Sequence, residues 1–169
     1  TGPIADLVGL KMSASGKPVT WQRDAEDMCA FHLDVPAGAG AVDVALDFLL
    51  PPNNEGFSSG ASATAQLLVL SWNYVVLYPK GAKAGDIQYA ATLRLPDGWK
   101  YGTALPLATT SANGLEFSPV SLETLVDSPL VAGAHLRTVD LTPGAKPSHS
   151  LHIAADSAAA LEIKPENSR

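Results

Sequence analysis

The fold class is decided by residues 66–79, QLLVLSWNYVVLYP, which carry one strongly polar side chain, Asn73, between Leu67 and Tyr78. β-Branched and aromatic residues dominate this run and a proline ends it, so its composition favours a strand over a helix. A strand without a polar face must be buried on both sides, and Asn73 must then find hydrogen-bond partners inside the protein. Residues 66–79 therefore predict the central strand of a layered β domain.

The segments on either side alternate between apolar and polar residues, as strands with one buried face do. In residues 27–35, Cys29 falls on the apolar face and is predicted to point into the core. Residues 42–50 alternate more strictly, and residues 87–95 repeat the pattern. Further strands are predicted over residues 6–12, 19–24, 99–107, 115–120, 134–141 and 149–154. The sequence predicts a mostly β fold, an antiparallel β-sandwich with one or two short helices.

The helix signal is strongest at residues 121–126. Ser121 can cap the first turn, Glu123 places a carboxylate there, and residues 127–129, Asp-Ser-Pro, end the segment. Residues 157–163 are predicted to form a final helix. Both helices are short, which leaves the fold class unchanged.

The totals fit one globular domain over residues 1–169. The chain is 46% hydrophobic and 17% charged, values typical of a folded soluble domain, and its 13 prolines and 14 glycines supply the many turns of a β fold. The sequence opens on Thr1 rather than on a methionine. We therefore expect a domain cut from a longer polypeptide and truncated at its N-terminal end.

The charge argues against two classes of partner. The net charge is -6, and the eleven lysines and arginines are scattered along the chain, so we predict neither nucleic-acid binding nor membrane binding. No apolar run approaches the roughly 18 residues that a membrane span needs. The single Cys29 excludes an internal disulfide and a multi-cysteine zinc site. Cysteine usage does not identify the compartment.

Two groups of residues that could be catalytic lack the sequence context that their chemistry requires. Residues 56–60, GFSSG, match the G-x-S-x-G of serine hydrolases, but no apolar strand precedes them and no helix follows. We interpret them as part of a polar loop over residues 51–64, and serine hydrolysis at Ser58 stays a third possibility. The four histidines, His32, His135, His149 and His152, lack zinc-ligand spacing, and the chain has no H-E-x-x-H.

Two further clusters of side chains are candidate sites, one aromatic and one acidic. The aromatic residues Trp72, Tyr74, Tyr78, Trp99 and Tyr101, with Asn73, could form a platform for a sugar or a peptide. Packing is the favoured interpretation, because large aromatic side chains dominate protein cores. A small acidic group at residues 24–27, beside a basic residue at position 23, is interpreted as a solvated turn.

Several short segments together resemble the N-terminal domain of the glycyl aminopeptidase family of zinc metallopeptidases, the M61 peptidases. These are TGPIADL (1–7), WQRD (21–24), DM (27–28), AFH (30–32), SWNY (71–74), LYP (77–79), LPDGW (95–99), GTAL (102–105) and LVDSP (125–129). The resemblance runs from residue 1 to about residue 161. It implies an N-terminal β domain followed by a thermolysin-like domain with the H-E-x-x-H zinc site, and often by a PDZ domain.

The resemblance implies a non-catalytic domain that packs on a catalytic domain absent from this sequence and helps wall the cleft for the peptide substrate. Zinc belongs to that absent domain, so no catalytic or metal residue is assigned here and this chain alone should be inactive. Asp6, Trp72, Asn73 and Tyr74 are the residues we expect to face the substrate or the neighbouring domain. The resemblance also implies a bacterial periplasmic or extracytoplasmic location.

Two alternatives concern partners. A free-standing carbohydrate-binding or adhesion sandwich would present exposed tryptophans, Trp72 and Trp99, to a sugar. Family domains resemble one another in having a strand upstream of the position of Thr1, and its absence would leave a sheet edge unpaired. We therefore predict a dimer, formed by edge strands near Leu7.

Overall fold

The computed structural model describes residues 4–50 and 61–162. Its strands are β1 Leu7–Ala14, β2 Lys17–Pro18, β3 Trp21–Arg23, β4 Phe31–Leu33, β5 Asp43–Phe48, β6 Ser62–Ala63, β7 Leu67–Leu70, β8 Gln88–Tyr89, β9 Thr92–Leu93, β10 Lys100–Thr103, β11 Leu107–Ser111, β12 Gly114–Phe117, β13 Val120–Ser121, β14 Leu130–Gly133, β15 His135–Asp140 and β16 Ser150–Ala155. The α-helix is α1, Leu122–Val126. The strand pairs are antiparallel, and the prediction of a mostly β fold with a short helix is confirmed. Among the described residues no helix is long and apolar enough to cross a membrane.

The chain divides into two compact units, and the first contains residues up to 50 together with 73–81. Its main sheet has the order β2-β1-β5, and β3 pairs with β4 beside it. Gly9, at a φ of 64°, lies in a bulge of β1 where the register against β5 shifts. A cluster of buried side chains, Met12, Ala14 and Val19, forms the core of this unit.

The second unit contains residues 51–72 and 82–169. Its largest sheet has the order β10-β14-β7-β6, and a three-stranded sheet has the order β11-β12-β9. Two strand pairs, β13-β8 and β15-β16, complete its β structure. The most deeply buried large side chains of the described residues, Leu125 and Leu130, both belong to this unit.

Helix α1 begins where the sequence predicts. The Ser121 hydroxyl accepts a hydrogen bond from the backbone N–H of Thr124 at 3.1 Å, which satisfies one of the donors that a helix start leaves open. Leu122 and Leu125 are the buried residues of the helix. The second predicted helix is wrong, because residues 157–163 contain one 3-10 turn, Ala159–Leu161, in their described part.

The predicted central strand over residues 66–79 is correct only for residues 67–70. β7 ends at Leu70, its four residues are half-buried rather than fully buried, and Trp72–Tyr74 form a 3-10 turn. The indole N–H of Trp72 donates to the carbonyl of Ser128 at 2.9 Å, a partner 56 residues away that no local pattern reveals. Asn73 is exposed in this turn, so the prediction that it needs buried partners is wrong.

The prediction that Cys29 points into the core is also wrong. Its thiol is exposed, and its backbone N–H donates to the Asp27 carboxylate at 3.0 Å within a turn. The apolar alternation of residues 27–35 therefore reflects three paired residues, β4, rather than a nine-residue strand.

Other differences between the predicted and the observed strands arise from how the strands pair. Residues 87–95 do not form one strand, because Tyr89 pairs with Val120 whereas Leu93 pairs with Leu115. Strands β6 and β14 are absent from the sequence prediction, although β14 is central to the largest sheet. The motif at residues 56–60, with Ser58, lies outside the described residues.

Candidate functional site

Two of the four predicted site residues lie at the same end of β5. Asp6 ends a 3-10 turn, and its carbonyl accepts a hydrogen bond from the backbone N–H of Leu49 at 2.9 Å. The ring of Tyr74 packs edge to face on Phe48, with the ring centroids 5.7 Å apart. Since Phe48 and Leu49 are neighbours in sequence, Asp6 and Tyr74 both contact the segment where β5 ends.

Trp72 has a structural role in the second unit. Its half-buried indole donates to the Ser128 carbonyl, and the Thr103 hydroxyl donates to the same oxygen at 3.3 Å. The hydroxyl of Ser128 in turn donates to the carbonyl of Thr124 at 2.7 Å. The indole N–H of Trp72 is therefore already used in a hydrogen bond that fixes the segment around Ser128. Asn73, the fourth predicted residue, is exposed.

The acidic group at residues 24–27 is an ordered turn. Oδ1 of Asp24 accepts the backbone N–H groups of Glu26 and Asp27, both at 2.9 Å, and Oδ2 lies 2.6 Å from Nε2 of His32. These contacts hold the pKa of the Asp24 carboxyl well below its usual range, chiefly through the N–H of Asp27, then that of Glu26, then His32. The contact with His32 is absent from the sequence prediction. The turn itself is signalled by Asp24, because an aspartate side chain readily accepts from backbone N–H groups two or three residues further on.

The folded-state pKa of Asp24 is depressed, so the stability from this carboxylate is complete above the unfolded pKa, about 4, and is lost as the pH falls below it. We expect Asp24→Asn to unfold at a lower urea concentration than the wild type at pH 7, and the difference to shrink at pH 3. Asp34→Asn, which changes an exposed acid outside the cluster, is the matched control. A difference in midpoint that is the same at both pH values would contradict this assignment.

The histidines do not assemble a metal site in the described parts of the chain. No group of three or more His, Cys, Asp or Glu side chains there could hold a metal ion. His32 contacts Asp24, and Nδ1 of His152 lies 3.0 Å from the Thr138 hydroxyl. These are two separate pairs of polar side chains.

The two tryptophans predicted for a sugar platform are not exposed, although Tyr78 is 56% exposed. Trp72 and Trp99 are both half-buried. Tyr101 packs edge to face on Phe117, with the ring centroids 6.1 Å apart. An open groove of about 460 Å³ is lined by Trp99, Lys100, Tyr101, Leu136 and Thr138. Trp99 and Tyr101 line this groove, but both are half-buried, as aromatic residues that pack in the protein are.

The described residues form a mostly β fold with one short α-helix. The sequence model of the peptidase M61 N-terminal domain matches residues 1–134. The chain therefore belongs to the peptidase M61 N-terminal domain family, as the sequence segments predicted.

A solved structure has a similar fold. It is described as the crystal structure of an aminopeptidase N family protein from Idiomarina loihiensis. The two are 16% identical with a TM-score of 0.72, and the match covers 90% of this chain. This chain spans 25% of the length of that protein. No curated protein matches the chain.

Proposed function

We propose that this chain is the non-catalytic N-terminal domain of a zinc metalloaminopeptidase, where it packs on the catalytic domain and helps shape the cleft for the peptide substrate. The match of the M61 N-terminal domain over residues 1–134 carries the proposal. The similar fold in an aminopeptidase N family protein four times as long supports it. In this proposal the zinc and its ligands belong to the catalytic domain.

The substrate-facing surface is proposed at the turn Trp72–Tyr74 and at Asp6. Two features support this assignment. Asn73 presents an exposed amide, which can donate to and accept from a peptide backbone. Its neighbour Tyr74, in the same unit, is held by the packing of its ring on Phe48. Such anchoring holds an exposed polar group in one place, which a binding site requires.

The test compares this chain alone with the parent polypeptide that contains the catalytic domain. With a glycyl anilide and zinc, we expect no turnover by the chain alone and turnover by the parent that a chelator abolishes. Chelator-sensitive turnover by this chain alone would overturn the proposal, and so would a parent polypeptide without peptidase activity.

The role in the cleft is tested by Asn73→Ala in the parent. An exposed side chain contributes little to stability, so the variant should fold normally while KM for a peptide amide rises severalfold. Asn113→Ala removes another exposed amide, from a turn of the second unit, and is the matched control. An unchanged KM in Asn73→Ala would remove the turn from the substrate cleft.

A further inference from the structure

An open groove of about 370 Å³ lies within the first unit, along one edge of β1. It is lined by Leu7, Val8, Gly9, Leu10, Lys11, Trp21 and Arg23. The first five are consecutive residues of β1, and the last two are on β3. The groove therefore combines a strand edge with an aromatic and a cationic side chain beside it.

The edge of β1 in the groove has no paired strand among the described residues. β5 occupies the other edge, where Leu7 is opposite Phe48. On the groove side β2 pairs with Ser13 and Ala14, and the N–H of Val19 donates to the Met12 carbonyl at 2.9 Å. Residues 7–11, beyond that hydrogen bond, have no strand partner on this edge among the described residues. An open strand edge presents backbone N–H and C=O groups that an added strand can pair with.

The side chains of the groove favour a particular kind of strand. Lys11 and Arg23 are its two charged residues, none of the lining residues is acidic, and neither cation takes part in an ion pair within the described residues. The Arg23 guanidinium is 5.7 Å from the centroid of the Phe31 ring, which helps to position it. The carboxylate of Asp47 lies against Gly9, but it belongs to β5 on the other side of β1.

We propose that the open edge of β1 binds an extended, acidic peptide segment by strand addition. The added backbone pairs with residues 7–11, its apolar side chains contact Leu10 and Trp21, and its carboxylates contact Lys11 and Arg23. A second copy of this chain fits less well, since two β1 edges would bring four cations to one seam with no acidic lining residue. This proposal does not depend on the proposed function.

The probe is the blocked heptapeptide acetyl-Val-Glu-Val-Glu-Val-Glu-Val-amide, titrated calorimetrically at low and moderate salt. We expect saturable one-to-one binding that weakens as salt screens the charges. The same peptide with lysine in place of glutamate should not bind. A peptide with proline at its central position should also fail, because proline removes a backbone donor from the added strand. Equal binding of the lysine or the proline peptide would overturn the proposal.

Arg23→Gln locates the site. It should weaken the glutamate peptide about tenfold, the effect expected for losing one close charge pair. Lys17→Gln removes the same charge from β2 outside the groove and should leave the affinity unchanged. Unchanged binding by Arg23→Gln would overturn the proposal. Self-association of the chain that excludes the peptide would assign the edge to a second copy and overturn it too.

Discussion

Replacing Leu130 with alanine is expected to lower the free energy of unfolding by about 2–5 kcal/mol, the range for emptying a fully buried leucine site. Leu130 is 1% exposed. It begins β14, where it pairs with Leu70 on one side and with Thr103 on the other. Strands flank it on both edges, so its surroundings have little freedom to collapse into the cavity that the substitution leaves.

Urea denaturation followed by circular dichroism measures this effect. Leu151→Ala is the matched control, because that leucine is 45% exposed in β16 of the same unit and should cost less than about 1 kcal/mol. Equal losses of stability in the two variants would mean that Leu130 does not lie in the core of the second unit.

Two features that local sequence determines, the start of α1 and the strand β5, were predicted correctly. The hydroxyl of Ser121 caps α1 because the residues that satisfy the helix start lie within three positions of it. The strand β5 follows from strict alternation, and most of its predicted inner residues are at least half-buried. The mostly β class follows from the frequency of turn residues and from alternation in several segments, so errors in single strands do not change it.

The features that depend on distant partners could not be predicted. β7 ends at Leu70, just before the hydrogen bond from Trp72 to the Ser128 carbonyl. The apolar composition of residues 71–79 does not indicate that hydrogen bond. Strand β14 is short, and residues on two other strands define it. The same holds for candidate sites. The contact of Asp24 with His32 needs the register of β3 against β4, which places His32 opposite Gln22.

Gly102 illustrates such a distant constraint, and replacing it with alanine is expected to cost about 3 kcal/mol, the upper part of the range for overpacking. Gly102 is buried in β10. An alanine Cβ there would overlap Cγ of His152 and lie 2.7 Å from its Cβ. His152 lies in β16 and its ring is held by the Thr138 hydroxyl at 3.0 Å. The Cβ of His152 takes part in this clash, so rotating the imidazole ring cannot relieve the clash fully.

A double-mutant cycle separates this clash from the general cost of changing a glycine. His152→Ala removes the ring, so Gly102→Ala should cost at least about 1 kcal/mol less in that background, as expected for residues in contact. Gly40→Ala is the control for backbone effects, because no atom lies within 4 Å of its added Cβ, and it should change the stability by only a few tenths of a kcal/mol. If the two Gly102 costs were equal, β16 would not lie across β10. The close approach of these strands explains why a glycine stands in the middle of a strand, where it is otherwise unfavourable.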